Sequence, residues 1–568
     1  MVLKPKRWRI AAPLSPLELS QYSNLHPVLA QILHQRGFRS STDMKAFLEG
    51  DAGQVDPFKL RGVSQAVSRI RTAIKRKEKI VVYGDFDADG VTSTTLLTTT
   101  LRALGAEVSP YIPHRVDEGY GLNNNALIGL AKRGFRLCIT VDCGIRSVHE
   151  VAVGNQAGLD MIVTDHHSIG AELPPALAVI NPKQEGDQSG EPMLAGVGVA
   201  FRLAEALLKV AKTQDKRDLP LQAEDLVDLV AIGTIADLVP LDRLQNRNLV
   251  LRGLRKLRDS QRIGVRALLK EAGIEPQHVT AESIGFGIAP RINAAGRLKS
   301  ALIAYELLST QETDEAAQKA SELNRLNQQR QQLTRDMQAY ARNIAEIDSE
   351  TPLIFAADSS FAQGIVGLVA GRLTEEYYRP TVIIHCGEQE SHGSCRSIPE
   401  FDITAALDQC ADLLLRHGGH AQAAGFAIHN ENLPAFRERM LEIAGDQLDG
   451  KELTPALEID AEVTFPQLDI ELYEALRELE PCGNNNPPPL LCARRLRVVE
   501  SRTVGKDNAH LKLEFSDGKQ SFKGIAFGMG NVKNHLPSEV DVAFSLSINT
   551  WGGEERLELT VSDLRPAS

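Results

Sequence analysis

Residues 79–90 read KIVVYGDFDADG, and this stretch decides the fold of the region around it. The apolar run 80–83 predicts a buried β-strand. Three carboxylates follow the strand at alternate positions, Asp85, Asp87 and Asp89, and a helical pattern begins directly after them. In open α/β sheets, ligands bind outside the carboxyl ends of the strands, so this order predicts an acidic binding site at the edge of a sheet.

The same order of strand and helix continues along the chain to about residue 241. Further strands are predicted at residues 107–112, 136–141 and 160–163, with helices between them. Near-continuous apolar strands that alternate with helices are typical of a parallel sheet covered on both faces. We therefore predict a doubly wound α/β domain.

Other parts of the chain have different patterns. Residues 297–351 contain neither glycine nor proline, which predicts at least one long helix as a connector between two lobes. Residues 352–450 indicate a second, smaller α/β lobe, in which Asp402 caps a helix that ends at Gly418 and Gly419. Five short alternating strands after residue 495 fit a C-terminal OB-like β-barrel, and an all-β interaction module of another kind is the alternative.

The composition limits the classes of protein to which the chain can belong. With 568 residues, 43% hydrophobic and 24% charged, the chain is typical of a globular protein with several domains. The first 20 residues lack the apolar core of a secretory signal, and no window approaches the roughly 18 apolar residues of a membrane span. The seven cysteines are scattered, so neither a disulfide framework nor a zinc ribbon is predicted. We expect a cytoplasmic protein without membrane contact.

The formal net charge of −11 at pH 7 does not exclude nucleic acid as a partner, because acidic metal sites and basic patches can share one chain. Two local runs are basic, and each is either a solvated helix face or a nucleic-acid contact. The runs comprise Arg69, Arg71, Lys75, Arg76, Lys77 and Lys79, and Arg252, Arg255, Lys256, Arg258, Arg262 and Arg266.

Three more acidic or imidazole elements follow apolar runs. They are Asp142, the triplet at 165–167 with His166 and His167, and Asp237, which we place at the end of a strand formed by residues 231–236. Three carboxylates as close as those of residues 85–89 repel one another unless cations neutralise them. Oxygen-rich sites suit Mg²⁺ or Mn²⁺, and carboxylates with imidazoles can hold two such ions to cleave phosphate esters.

A structural calcium loop is the alternative for residues 85–90, because D-x-D-x-D-G resembles the start of an EF-hand. Leu96 stands where such a loop has its glutamate, and the intervening residues continue into a helix. The sequence therefore favours a catalytic metal site.

Taken together, these motifs resemble those of the DHH phosphoesterase family, in the branch whose members degrade single-stranded DNA. Residues 163–167, VTDHH, look like the signature that names the family, and residues 84–91 match its first motif. Residues 142–144 and 233–241 resemble two further motifs. Residues 418–426, GGHAQAAGF, resemble the glycine-rich motif of the second, DHH-associated domain.

The resemblance implies which residues form the site. The metal ligands or their immediate supports would be Asp85, Asp87, Asp89, Asp142, His166 and Asp237, and His167 would orient a ligand or contact phosphate. Arg115, Arg291, Ser394, Arg396 and His420 would bind the substrate. Among these, Ser394 and Arg396 match the family's contacts to a terminal phosphate, and His420 follows two glycines where a nucleotide can approach the backbone.

The implied function is that of a single-stranded-DNA-specific 5′→3′ exonuclease in DNA recombination and repair. It would release 5′-mononucleotides by phosphodiester hydrolysis with two ions, Mn²⁺ or Mg²⁺. The implied partners are single-stranded DNA, a single-strand-binding protein and a helicase. One alternative is a DHH phosphodiesterase for short oligonucleotides or cyclic dinucleotides, which needs neither connector nor barrel. The other is a non-catalytic single-strand-binding relative, which need not keep the carboxylates.

The expected domain boundaries combine these patterns with the resemblance. We expect a helical lead-in at 1–60, a DHH catalytic domain at 61–295, a helical connector at 296–350, a DHH-associated substrate-binding domain at 351–453 and an OB-fold-like nucleic-acid-binding domain at 454–568.

Overall fold

The computed structural model describes residues 6–115, 117–345, 347–348, 351–549 and 555–567. The chain forms two compact units. Gly53–Leu453 make up one unit, and Met1–Ala52 together with Thr454–Ser568 make up the other. None of the described helices combines the length and the apolar character needed to cross a membrane.

The N-terminal part of the second of these units is one strand followed by three helices. They are β1 (Arg7–Ile10), α1 (Pro16–Ser20), α2 (Pro27–Gln35) and α3 (Ser41–Glu49). Ser40 caps α3 by accepting a hydrogen bond from the Asp43 amide, and Gly50 ends it with φ 65°. The three helices lie in the region for which we expected a helical lead-in, whereas β1 was not predicted.

The larger unit opens with α4 (Val63–Arg76) and a five-stranded parallel sheet of order β3–β2–β4–β5–β6. The strands are β2 (Lys79–Gly84), β3 (Val108–Tyr111), β4 (Phe135–Val141), β5 (Asp160–Thr164) and β6 (Ala178–Ile180), with α5 (Ala88–Ala103), α6 (Asn124–Lys132) and α7 (Val148–Gln156) between them.

Alternate residues of the central strands β2, β4 and β5 enter two separate hydrophobic cores. Ile80 and Val82 of β2 belong to the core that also holds Leu97 of α5, whereas Val81 and Tyr83 pack with Leu127 of α6. Both faces of the sheet are therefore covered, and the predicted doubly wound α/β domain is confirmed.

A set of helices completes this first lobe and leads to the next. They are α8 (Gly196–Thr213), α9 (Val227–Ala236), α10 (Leu244–Arg258), α11 (Ile263–Glu271), α12 (Ala289–Leu298), α13 (Leu302–Ser309) and α14 (Thr313–Ile344). The predicted long connecting helix is α14, with 32 residues. The prediction of a strand at 231–236 was wrong, because these residues lie in α9. Every residue from Val227 to Ile235 is buried, and a helix that is apolar on all sides has no period to distinguish it from a buried strand.

Much of the two basic runs is taken up by ion pairs within the protein. Arg69 contacts Glu78 and Asp160, both at 2.6 Å. In the second run, three cations pair with carboxylates at the start of α9 and just before it, which favours a structural role for half of that run. These pairs are Arg252–Glu224, Lys256–Asp225 and Arg262–Asp228.

The second lobe is a smaller α/β fold, as predicted, with the sheet order β10–β11–β9–β8–β7. Its elements are β7 (Ile354–Asp358), α15 (Val366–Tyr377), β8 (Thr381–Cys386), β9 (Glu390–Arg396), α16 (Ile403–Asp408), β10 (Leu414–His420), β11 (Ala423–His429) and α17 (Leu433–Leu448).

One prediction within this lobe was wrong. Asp402 does cap a helix, but α16 ends at Asp408, and Gly418 and Gly419 lie in strand β10. A Cβ on Gly419 would lie 2.3 Å from the carbonyl oxygen of Ala423. The glycine is thus required by the close approach of β10 and β11 and does not terminate a helix.

The C-terminal part of the other unit is the predicted OB-like barrel. β12 (Ala456–Ile459), β13 (Ala461–Glu462) and α18 (Ile470–Arg477) precede β14 (Leu491–Val504), β15 (His510–Ser516), β16 (Ser521–Ala526), β17 (Glu539–Asn549) and β18 (Arg556–Pro566). The last five strands close in the order β14–β15–β16–β18–β17, and β17 pairs again with β14. In addition, β12 pairs in parallel with β1, so this unit is built from both ends of the described chain.

Candidate metal centre and cleft

The turn between β2 and α5 holds the first three carboxylates. Asp87 is the N-cap of α5, and its carboxylate accepts hydrogen bonds from the amides of Asp89 and Gly90 at 2.9 and 3.0 Å. Asp85 and Asp89 are almost completely buried. The strand end and the cap together fix the direction in which these side chains point.

The N-terminus of α8 holds Asp89 in place. The amides of Gly196 and Val197 donate to its two carboxylate oxygens at 2.7 and 2.8 Å. A Cβ on Gly196 would lie 2.6 Å from Asp142 Oδ1, and one on Gly233 would lie 2.8 Å from Asp89 Oδ1. Both glycines therefore let helices pack directly against the acidic cluster, a role that the sequence analysis did not assign to them.

His166 lies at the centre of the cluster. Its Nε2 atom is 3.1 Å from Asp142 Oδ1, 3.5 Å from Asp237 Oδ2 and 3.9 Å from Asp89 Oδ2. Asp142 follows β4 with φ 62°, and Asp237 follows helix α9. The structure thus brings together residues from four separate segments, as predicted, although one of these segments is a helix.

Asp165 supports both histidines. Its Oδ1 atom accepts hydrogen bonds from the amides of His166 and His167 and contacts the His167 Nδ1 at 2.7 Å. The amide of Ile145 donates to its other oxygen at 2.9 Å. Asp165 was not among the predicted site residues, but its network orients the two imidazoles that were.

Three groups of side chains could each hold a metal ion, with all potential ligand atoms in a group within 4.8 Å of one another. The groups overlap, so neighbouring ions could share ligands. They are Asp85, Asp87 and Asp142; Asp89, His166 and Asp237; and Asp142, Asp165, His166 and His167.

The electrostatics of the cluster call for a cation. Burial, followed by repulsion from neighbouring carboxylates, raises the pKa of Asp85 and Asp142 well above the usual range. The same causes raise the pKa of Asp89 to about 7 and that of Asp237 to about 9. Ionised carboxylates at this density are stable only beside positive charge.

The imidazole of His166 is suited to bind metal. Burial and then the neighbouring His167 lower its pKa to about 3, so the ring is neutral. The Nε2 atom of this ring faces the carboxylate oxygens of Asp142 and Asp237, where a neutral imidazole can offer its lone pair to a cation.

The residues fit a divalent cation. Asp85 Oδ1, Asp142 Oδ1 and His166 Nε2 are buried and have no hydrogen-bond partner. Buried polar atoms in this state are costly, and all three belong to one cluster, where a bound cation would satisfy them together. Carboxylate oxygens with one imidazole suit Mg²⁺ or Mn²⁺.

A cleft of about 570 Å³ opens between the two lobes of the larger unit, beside the acidic cluster. Arginine and aromatic side chains line it from both lobes. The first lobe contributes Phe86, Arg115, Tyr120 and Arg297, and the second contributes His392, Ser394, Arg396, Arg416 and His417.

Three of the five predicted substrate-binding residues line this cleft. The guanidinium of Arg115 lies 4.5 Å from the ring centroid of Phe86. Arg396 Nη1 is 3.2 Å from Ser394 Oγ, and both lie close to Gly367 of α15, where a Cβ would be 2.9 Å from Ser394 Oγ. Arginine and serine donors at one spot, with room for a backbone approach, are suited to a phosphate.

Arg291 and His420 do not line the cleft. Arg291 donates to the Gly287 carbonyl at 2.5 Å and to Asn324 at 3.1 Å, and His420 is exposed at the end of β10. Arg297, on the same helix as Arg291, lines the cleft instead. Six residues turn an α-helix by about 240° beyond a full turn, so the two arginines face different ways.

Arg297 is thus a site residue that the sequence analysis missed. Burial, and then the nearby Arg115, lower its pKa to about 9. Tyr120 is another missed residue: its hydroxyl is 3.3 Å from His167 Nδ1, and its ring packs edge-on near that of Phe86. The helical period alone could not identify Arg297 as the cleft residue, because the sequence does not show which face of α12 is turned toward the cleft.

Comparison with known proteins supports the organisation of the chain. Residues 79–234 match the model of the DHH family, N-terminal domain, residues 350–446 match the DHHA1 domain, and residues 459–563 match the RecJ OB domain.

Individual relatives match along almost the whole chain. A Bacillus subtilis protein named single-stranded-DNA-specific exonuclease RecJ is 37% identical over 99% of this chain and 71% of its own. The crystal structure of RecJ in complex with Mn²⁺ from Thermus thermophilus matches with a TM-score of 0.85 and 32% identity, over 99% of this chain and 80% of that chain. The Mg²⁺ complex from the same organism matches with a TM-score of 0.79 and 31% identity, over 99% and 79%.

Proposed function

Since the chain belongs to the RecJ branch of the DHH family, we propose that it is an exonuclease specific for single-stranded DNA that degrades the strand from its 5′ end. One observation carries the proposal: buried ligand atoms without partners lie beside a cleft whose walls carry arginines from two lobes. The products would be 5′-mononucleotides.

In this proposal the acidic cluster holds two ions, Mn²⁺ or Mg²⁺. When bound, such ions polarise the phosphodiester and activate water at neutral pH. Asp85, Asp87, Asp89, Asp142, His166 and Asp237 supply the ligands, and Asp165 holds the histidine loop in register. His167, whose pKa the bond to Asp165 raises against the opposing effect of burial, presents a polar edge toward the substrate.

Polarity follows if the second lobe holds the strand end. Ser394 and Arg396, with Arg115 and Arg297 on the facing wall, would bind a 5′-terminal phosphate. This grip would set a fixed distance between the end of the strand and the metals, so that one nucleotide is released in each cycle. Arg291 and His420 have no part in this pocket.

The barrel would supply a second contact with single-stranded DNA, since closed five-stranded barrels of this kind commonly bind single strands. A helicase and a single-strand-binding protein are the partners we expect in DNA recombination and repair, because both provide or protect single strands. We place the protein in the cytoplasm, and its seven free cysteines fit a reducing compartment.

A direct test uses single strands of defined length, labelled in turn at the 5′ or the 3′ end. With Mn²⁺ present, a 5′ label should appear at once as a mononucleotide, whereas a 3′ label should pass through a ladder of shortening strands. Duplex of the same sequence is the control and should stay intact. Mononucleotides released first from the 3′ end would contradict the assignment of polarity.

A further inference from the structure

Two large apolar side chains of the larger unit are strongly exposed to solvent, one of them beside a candidate metal ligand. Phe286 is 83% exposed and Leu238 is 68% exposed. Leu238 directly follows the candidate ligand Asp237 and has φ 55°, which is uncommon for a bulky residue. The mechanism described so far uses neither side chain.

The exposure of Phe286 follows from the turn that carries it. Ser283–Ile288 form a π-helical turn just before α12, a geometry often found at functional sites. Ile284 and Ile288 are buried on the inner side of this turn, at 0% and 3% exposure. Phe286 lies between them and is therefore presented outward by a segment whose other large side chains are anchored in the core.

Neighbouring residues hold the turn firmly. A Cβ on Gly287 would lie 2.7 Å from Ile274, so this glycine is packed without spare room. Arg291 donates to the carbonyl of Gly287, and Asn324 Nδ2, beside it, donates to Glu271 at 3.2 Å. The arginine that resembled a phosphate ligand thus supports the turn that presents Phe286.

The turn lies against the end of helix α9. A Cβ on Gly285 would be 3.8 Å from Ile235 Cγ2, and Asp237 is two residues beyond Ile235. Phe286 follows Gly285 directly. The turn that carries the exposed ring therefore packs against the last turn of α9, the helix that Asp237 and Leu238 follow.

We propose that Phe286, together with Leu238, stacks against a base of the single strand beside the metal centre. This inference rests on the proposed function and adds a contact that recognises the unpaired state of the DNA. Residues 283–288, SIGFGI, carry no charge, so they offer an aromatic ring to a base and no cation to a phosphate. Unpaired bases of any sequence have free faces for stacking, whereas a duplex hides most of them.

The test uses 5′-phosphorylated single strands in which one abasic residue is moved through successive positions. Binding is measured by fluorescence anisotropy without divalent metal, and cleavage is measured separately with Mn²⁺. For the wild-type protein, an abasic residue at the stacked position should weaken binding by about five- to a hundredfold. Phe286→Ala should weaken binding of the intact strand to a similar degree and remove the dependence on that position.

Two further variants complete the test. Phe286→Trp should retain the position dependence, because its ring also stacks. Leu173→Ala, which removes another exposed leucine of the same unit, should leave the scan unchanged. The inference is overturned if Phe286→Ala and the wild type give the same abasic scan, or if Phe286→Ala alters self-association and leaves strand binding intact. A wild-type protein that cleaves single strands with a flat scan would reject stacking while retaining the exonuclease.

Discussion

Lys183 places its ammonium nitrogen 2.5 Å from the backbone carbonyl oxygen of His166. Its neighbour Asn181 completes a clamp, since Asn181 Nδ2 donates to the His167 carbonyl at 3.0 Å and Asn181 Oδ1 accepts from the Lys183 amide at 2.8 Å. Burial lowers the pKa of Lys183, while Asp165 and Asp237 act in the opposite direction. The Lys183 ammonium and the Asn181 side-chain amide thus hold the backbone carbonyls of His166 and His167, and with them the loop that carries the central imidazole.

We expect Lys183→Met to weaken Mn²⁺ binding by about tenfold or more, because His166 loses the anchor of its backbone. Electron paramagnetic resonance of free Mn²⁺ during a titration measures this effect without DNA. Lys183→Arg is the matched control and should recover part of the affinity. Unchanged Mn²⁺ affinity combined with weaker DNA binding would instead assign Lys183 to the strand.

The charge of Asp87 can be separated from its capping role. Asp87→Asn keeps an oxygen that can accept the amide bonds of Asp89 and Gly90, so helix α5 should remain intact. We expect this variant to lose more than about 100-fold in cleavage rate while binding a single strand normally. Asp87→Ala should lose the same activity and also melt at a lower temperature. Near wild-type cleavage by folded Asp87→Asn would remove Asp87 from the metal site.

Metal binding should depend on pH with a definite sign. In the metal-free protein the pKa of Asp237 is raised to about 9 and that of Asp89 to about 7, so the folded state holds protons that the unfolded state releases near 3.8. Above the unfolded-state value of 3.8, the folded state binds more of these protons than the unfolded state. The free energy of unfolding of the metal-free protein therefore falls as the pH rises toward 9. Calorimetric melting from pH 6 to pH 9 should show this fall.

A divalent ion reverses the effect, because it binds the ionised carboxylates and displaces their protons. Mg²⁺ affinity should rise with pH over the same range, and titration calorimetry in buffers of different ionisation enthalpy should detect proton release at pH 7. A metal-free melting temperature that is flat from pH 6 to pH 9 would contradict the raised pKa values.

Arg396 should determine the preference for a 5′ phosphate. Replacement by alanine removes a charge-assisted contact worth about 1.5–3 kcal/mol. We expect KM on 5′-phosphorylated strands to rise roughly tenfold to over a hundredfold, with a smaller change on strands that end in a hydroxyl. Arg396→Lys should recover only part of the loss, since an ammonium lacks the guanidinium fork. If the phosphate preference of Arg396→Ala is intact, Arg115 and Arg297 become the primary contacts.

The barrel should contribute through phosphate contacts on long strands. Lys506, Lys512 and Lys523 lie on its first three strands or the loop between two of them, and their joint replacement by glutamine removes three positive charges. The slope of log affinity against log salt should become shallower by up to about 2, because each lost phosphate contact in single strands accounts for roughly 0.7. Hydrolysis of a very short oligomer serves as the control and should be unaffected. An unchanged slope would show that these three lysines do not contact the phosphates of the strand.

The local order of residues was enough to predict the parallel sheet and the position of its carboxylates. A strand that ends directly before Asp85 and a helix capped by Asp87 leave few other arrangements, and the structure has both elements. Helix α9 was not predicted because its residues are buried on all sides, so its sequence lacks the alternation of apolar and polar residues that identifies a helix. The β10–β11 ribbon escaped because a glycine pair signals close backbone approach as readily as a helix end.

Side-chain direction was the harder part of the site. Arg291 and Arg297 lie in one helix and share one motif, so their separate roles depend on how α12 packs against α14 and the second lobe. Asp165, Asn181 and Lys183 act through hydrogen bonds to backbone atoms, which no spacing rule reveals. The close contacts of Gly196 and Gly233 likewise exist only after the helices have assembled around the cluster.

The pairing of β1 with β12 has a consequence for how the protein is made. Arg9 and Glu458 meet at 3.0 Å although they lie 449 positions apart. A ribosome adding about 5–20 residues per second leaves the first strand without its partner for roughly 20 to 90 seconds. Gly53–Leu453, with cores of their own, can fold during that wait. An unpaired edge invites pairing with other nascent chains, and the exposed positive charges of Arg7 and Arg9 oppose it by repelling identical strands from neighbouring ribosomes.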